Sequence, residues 1–145
     1  MKPNQRQTEE MLSRAAKERA WYCRRAIERV EITKKRDPAG YGCLQLWLFA
    51  NMTLDQLEYL REDPFYVPRT FMSDEEAVIL LHHFFDEIRE RFDSYDYSEE
   101  LTQKDDESFA WYARRLVEYA ISDIIANVVH DDVGDLGMFL AAYQS

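Results

Sequence analysis

Residues 20–28 read Ala-Trp-Tyr-Cys-Arg-Arg-Ala-Ile-Glu, and residues 110–118 read Ala-Trp-Tyr-Ala-Arg-Arg-Leu-Val-Glu. Six of these nine positions are identical at an offset of 90. The same offset extends without gaps from residues 8–50 onto residues 98–140, where ten of 43 positions are identical. Self-similarity at a fixed offset is typical of two equivalent structural units. We therefore predict a pseudo-symmetric internal duplication, with the two blocks on equivalent helices.

Each block carries an arginine pair beside its Trp-Tyr, followed by a glutamate. Such a pair can clamp a phosphate or a carboxylate, because guanidinium groups donate in a fork and stack on aromatic rings. Alternatively, the arginines pair with the glutamate of their own block or of the other block. We favour this structural interpretation, since each block supplies its own acidic partner. The residues of the predicted structural repeat are Trp21, Tyr22, Arg24, Arg25, Glu28, Trp111, Tyr112, Arg114, Arg115 and Glu118.

Composition favours helices. Gly and Pro number only four each, which is too few for a sandwich or barrel with many turns. A length of 145 residues is typical of one domain. We therefore predict a single all-α domain over residues 1–145, built as a bundle of five to six helices. Since no run of 18 apolar residues occurs, we predict no membrane span.

Apolar residues at helical spacing locate the individual helices. The capping box Ser73-Asp74-Glu75-Glu76 predicts one helix start. The long helix of the second copy starts at Ser98 or Thr102 and is apolar on most faces, which predicts that it is central. The predicted helices cover residues 8–36, 44–50, 53–61, 73–93, 98–129 and 136–143.

Charge is unevenly distributed along the chain. The net charge is −10, but residues 1–37 carry 11 basic and 6 acidic side chains, whereas residues 38–145 carry 7 and 22. An acidic body repels nucleic acid and attracts basic partners. We therefore expect a protein partner with a basic surface and no direct binding to nucleic acid.

Two stretches are candidates for contact with that partner. Aromatic residues and an arginine in the Pro-bracketed loop over residues 63–71 suit an interface anchor, although its rings could instead cap the core. Carboxylates spaced along residues 94–107 can imitate a phosphate backbone, although a run of charge is often only a solvated face. The candidate partner-binding residues are Phe65, Tyr66, Arg69, Phe71, Tyr95, Asp96, Tyr97, Glu99, Glu100, Asp105, Asp106 and Glu107.

In composition alone, the chain resembles immunity proteins against nucleases and phage proteins that inhibit restriction or CRISPR complexes. The resemblance covers no motif. It implies a non-enzymatic inhibitor that needs no cofactor and acts on a basic partner, such as a nuclease or a nucleic-acid-binding complex. The alternative is a helical structural adaptor or chaperone that forms oligomers, a homodimer included.

A metal-dependent hydrolase is the second alternative. It would use the histidines and carboxylates of residues 82–87 or 130–135. Di-metal helical bundles need a Glu three residues before a His, and no acidic residue stands there before any histidine of this chain. We therefore predict no metal ligand and no catalytic residue.

The two cysteines, Cys23 and Cys43, match neither a disulfide framework nor a zinc-ligand spacing. The first residues are polar and contain no apolar secretory segment. Both observations favour a cytoplasmic protein whose thiols are reduced and largely buried.

Overall fold

The computed structural model describes residues 14–36, 42–50 and 73–128, together with the single residues 6 and 55. This part of the chain is all-α, as predicted, with four α-helices and no strand. The predicted count of five to six helices is not confirmed, because residues 53–61 and 136–143 lie outside the described residues, Asp55 excepted. The helices are α1 (Arg14–Arg36), α2 (Cys43–Ala50), α3 (Asp74–Ser94) and α4 (Phe109–Val128), with a 3-10 helix, Ser98–Leu101, between α3 and α4.

The apolar residues that recur at helical spacing along α1 are buried wherever their side chains are described. Those described are Ala20, Cys23, Ile27 and Val30. α1 ends at Arg36, as predicted, and its last turn is basic, which offsets the negative end of the helix dipole. The predicted start at Thr8 lies outside the described residues. Cys23 is a core residue, and its burial raises the pKa of the thiol to about 12.

α3 is the central helix of the described part. The predicted capping box is confirmed, since the Glu76 N–H donates a hydrogen bond to Ser73 Oγ at 3.2 Å. Residues 77–81 are all buried, and α3 packs against α1, α2 and α4. α4, which the sequence predicted to be central, instead buries one broad stripe and leaves Trp111 exposed. The reason is that Trp111, in the first turn of α4, faces outward, whereas α3 has five consecutive buried residues, 77–81.

Ion pairs between the long helices indicate their relative directions. The first turn of α3 pairs with α1 through Glu76 and Arg19 (2.6 Å) and with α4 through Asp74 and Arg114 (2.7 Å). Further along, Arg91 of α3 pairs with Asp123 of α4 at 2.7 Å. The start of α3 therefore contacts the first half of α4, and the end of α3 contacts the second half of α4. For this reason α4 runs in the same general direction as α3.

The gap-free duplication is not confirmed. Trp21 and Trp111 are similar, at 56% and 63% exposed, but Tyr22 is exposed and Tyr112 is buried. Residues 14–18 are helical, whereas residues 104–108, their counterparts at the offset of 90, are not. The predicted start of the second-copy helix at Ser98 or Thr102 is wrong. α4 begins at Phe109, because Ser108 Oγ accepts a hydrogen bond from the Trp111 N–H (3.2 Å) and so caps the helix there.

Glu87 of α3 caps the start of α2. Its Oε1 accepts a hydrogen bond from the Leu44 N–H at 3.1 Å, and its carboxyl group lies against Gly42. A Cβ atom at Gly42 would lie 2.5 Å from Glu87 Cδ, so only glycine leaves room for this approach. Burial, followed by the negative charge of Glu87, raises the pKa of the neighbouring Cys43.

We predict that Gly42→Ala lowers the free energy of unfolding by about 1 kcal/mol, because the added methyl displaces the Glu87 carboxylate and removes the cap. Glu87→Ala should cost a similar amount. In the double variant the two costs should not add, since both changes remove the same hydrogen bond. Chemical denaturation of the four proteins measures this cycle, and additive costs would contradict the capping role of Glu87.

Candidate protein-binding face

The connection between α3 and α4 carries an exposed row of carboxylates. We name residues 93–107 the acidic segment. It contains one basic side chain, Lys104, and two half-exposed rings, Tyr95 and Tyr97. Its exposed acidic residues are Asp93, Asp96, Glu99, Glu100, Asp105 and Asp106. All of these except Asp93 are candidate contact residues predicted from the sequence, and their role in binding stays a prediction.

One arginine of α4 anchors the acidic segment. Arg115 holds the Glu107 carboxylate with a two-pronged contact, from Nε at 2.8 Å and from Nη2 at 3.0 Å. Its Nη1 donates to the backbone oxygen of Glu100 at 2.7 Å, and Nη2 also donates to the Thr102 oxygen at 3.3 Å. Bidentate pairs of this kind are among the stronger polar contacts in proteins. One side chain therefore fixes the segment at three positions.

Glu107 is not available to a partner, which corrects its prediction as a contact residue. Its side chain is only 4% exposed. The hydrogen bonds from Arg115 lower the pKa of Glu107, against the opposing effect of burial. Glu100 is partly engaged as well, since its carboxylate lies 3.3 Å from Arg115 Nη1.

Tyr112 contacts Arg115 and also holds the acidic segment. Its ring lies under the Arg115 guanidinium, 5.7 Å from the ring centroid, which suits a cation–π contact. Its hydroxyl donates a hydrogen bond to the Leu101 backbone oxygen at 2.5 Å. Burial raises the pKa of Tyr112. Tyr112 therefore joins the 3-10 helix to α4, while Tyr22, its counterpart in the first block, lies exposed.

The other end of the acidic segment is tied to α3. The Tyr97 N–H donates to the Phe92 oxygen at 2.8 Å, and Ser98 Oγ donates to Asp93 Oδ1 at 2.6 Å. Asp96 has a φ of 58°, the left-handed conformation that lets the chain turn sharply after a helix. The Tyr97 ring packs edge-on against Tyr119 of α4. The segment is thus held at both ends.

A polar cleft of about 260 Å³ opens beside the acidic segment. On its floor, the ion pair between Arg91 and Asp123 is mostly buried. Tyr95 forms part of the wall, and the negative charge of Asp123, together with a hydrogen bond to its carboxylate, raises the pKa of Tyr95. The described residues lining the cleft are Glu87, Glu90, Arg91, Ser94 and Tyr95 from α3 and its end, and Asp123 and Asn127 from α4.

Arg25, Arg114 and Arg115 of the repeated block each have an acidic partner among the described residues. Arg114 contacts Glu118 at 3.1 Å as well as Asp74, so the predicted pairing within the second block is present. In the first block, Glu28 pairs with Arg25, and this pair is exposed. Ion pairs of this kind favour the structural interpretation of the repeat over an anion site.

Several candidate residues lie outside the described residues, namely Phe65, Tyr66, Arg69 and Phe71 of the predicted anchor loop. Sequence reasoning missed the contribution of Arg91 and Asp123. The signal for them is spacing, since residues 87, 91 and 94 share one helical face and residues 123 and 127 share another. Spacing within each helix does not predict that Arg91 and Asp123 come into contact, because this contact depends on how α3 packs against α4.

No group of three or more His, Cys, Asp or Glu side chains within the described ranges could hold a metal ion. The residues 130–135, the second predicted metal alternative, lie outside those ranges. No helix among the described residues is long and apolar enough to cross a membrane.

The chain matches no protein-family model, no curated protein and no solved structure.

We predict that Glu107→Gln lowers the free energy of unfolding by about 2 kcal/mol at neutral pH, because it removes the charge from the bidentate pair and leaves Arg115 with two backbone oxygens and the more exposed Glu100 carboxylate. The folded-state pKa of Glu107 lies below its ordinary value of 4.5, so its contribution is present above that pH and is lost as the pH falls through the folded value. The difference between wild type and variant should therefore shrink below pH 4.5. Denaturation at several pH values measures it.

The control is Glu28→Gln, which removes a carboxylate from an exposed pair. It should cost less than about 1 kcal/mol. Equal costs for the two variants, or a Glu107 effect that does not depend on pH, would contradict the anchoring role of this ion pair.

Proposed function

We propose that this protein binds a basic surface of another protein and blocks it, with the acidic segment as its contact face. The observation that carries the proposal is the set of six exposed carboxylates on a segment fixed by Arg115. A nuclease or another nucleic-acid-binding protein is the partner class we favour, because its basic surface already accepts a row of negative charges.

Preorganisation supports an inhibitory role. A segment that is already ordered loses little conformational entropy on binding, so more of the contact energy appears as affinity. Its dispersed negative charge speeds docking to a cationic surface and rejects nucleic acid. Half-exposed Tyr95 and Tyr97 add aromatic surface of the kind that is enriched at interfaces. We propose that this binding occurs in the cytoplasm.

A second candidate function is assembly with other helical chains. Trp21 and Trp111, the shared residues of the repeated block, are both more than half exposed. Exposed tryptophans are often contact residues. Because Arg25 lies over the Trp21 ring at 5.6 Å, this ring is also positioned by a neighbour on its own helix.

The test uses affinity capture with the tagged protein in a lysate of its native host, followed by mass spectrometry. One variant removes three exposed charges of the acidic segment: Glu99→Gln, Asp105→Asn and Asp106→Asn. We expect the wild type to retain a basic protein that this variant loses. With that protein purified, association should slow about tenfold at low salt. The difference should shrink at higher salt, since exposed charges are screened over about 8 Å at 0.15 M.

A matched control removes three exposed charges from α1 instead: Glu18→Gln, Glu28→Gln and Glu31→Gln. It changes the net charge equally and should leave capture intact. Equal loss in both variants would mean that only net charge matters, and no loss in either would exclude the acidic segment as the contact face. Tight nucleic-acid binding by the wild type in a gel-shift assay would also overturn the proposal.

A further inference from the structure

The cleft beside the acidic segment has an unbalanced negative charge. Arg91 and Asp123 neutralise each other, which leaves the charges of Glu87 and Glu90. The cleft also lies at the last turns of α3, whose C-terminal end carries the negative pole of the helix dipole. A cationic group is therefore favoured there over an anionic or a neutral one.

The two glutamates have different states. Glu87 is engaged, since its carboxylate caps α2 through Leu44. Glu90 is exposed at the rim of the cleft, and within the described residues its carboxylate makes no hydrogen bond or ion pair. Glu90 is therefore an available acceptor, while Glu87 supplies a fixed background charge.

An aromatic wall completes the cleft. Tyr95 is half exposed, and it lines the cleft together with Asp123. The same residue belongs to the acidic segment, which makes the cleft continuous with the proposed contact face. A group that enters the cleft would thus come from whatever binds that face.

We infer that the cleft receives the guanidinium of an arginine side chain from the basic partner, an inference that rests on the proposed function. Guanidinium is planar, stacks on an aromatic ring and donates in several directions at once. It can lie against Tyr95 while it donates to Glu90. An ammonium group is more strongly hydrated and lacks a planar face, so lysine fits this combination less well.

The experiment does not need the partner. N-acetyl-L-argininamide is titrated into the ¹⁵N-labelled full chain, and amide shifts are followed by NMR. We expect saturable shifts confined to the cleft, at Glu90, Ser94, Tyr95, Asp123 and Asn127. N-acetyl-L-citrullinamide, the neutral analogue of the same shape, should not produce them, and the lysine analogue should bind more weakly.

Glu90→Gln should weaken binding of the arginine probe about fivefold, as expected for loss of an exposed charge pair. The matched control is Asp86→Asn, an exposed acid on the same helix that does not line the cleft, and it should bind as the wild type does. Ser94→Lys, which puts a cation into the cleft, should abolish binding. The amide spectrum of each variant shows directly whether it is folded.

Equal shifts with the citrulline analogue, unchanged binding by Glu90→Gln, or equal affinity for the lysine analogue would each overturn the inference. These outcomes are separate from those of the capture experiment. A probe that fails to bind, with capture still dependent on the acidic segment, removes the arginine cleft alone. A probe that binds, with capture independent of that segment, removes the proposed contact face.

Discussion

The contact between Arg115 and Glu107 is the constraint on which the candidate site depends. The two-pronged ion pair sets where α4 begins, because it holds the residue before Ser108 against the second turn of the helix. Through the Glu100 and Thr102 oxygens, the same guanidinium fixes the path of the acidic segment. The exposed carboxylates therefore stand on a framework with one mostly buried charge pair at its centre.

α3 supports that framework through contacts near both of its ends. Its first turn pairs with both α1 and α4, and its residues 77–81 are buried on every side. Its last turn supplies Arg91, which joins α4 again at Asp123. Two charge contacts therefore join α4 to α3 near both ends of α3, and the acidic segment connects these two helices. Binding through such a segment costs little ordering.

The periodicity of apolar residues made the main helices predictable from the sequence. The apolar stripes of α1 and α3 and the cap at Ser73 follow from local sequence, because burial repeats every three to four residues. The start of α4 does not follow from local sequence, since Ser98, Thr102 and Ser108 are all suitable caps. The Ser98 hydroxyl instead donates a hydrogen bond to Asp93. The ion pair between Arg115 and Glu107 favours Ser108 as the residue that caps α4. Both choices depend on the folded arrangement.

The candidate site shows the same division. A row of acids was visible in the sequence, but their roles were not. Glu107 is an internal ion-pair partner, whereas Asp105 and Asp106 are exposed. The cleft could not be predicted, because Arg91 and Asp123 are 32 residues apart and meet only when α3 and α4 pack. The repeat predicted equivalent units, but its two tyrosines have opposite environments and the helix extends further before the tryptophan in the first copy than in the second.

The most direct test of this account is backbone ¹⁵N relaxation over residues 96–107 of the free protein. A segment fixed by Arg115 should have order parameters of about 0.85, like those of the neighbouring helices. The same residues in Glu107→Gln should be measurably more mobile. Order parameters below about 0.6 in the wild type would contradict the account, because the carboxylates would then form no preorganised face.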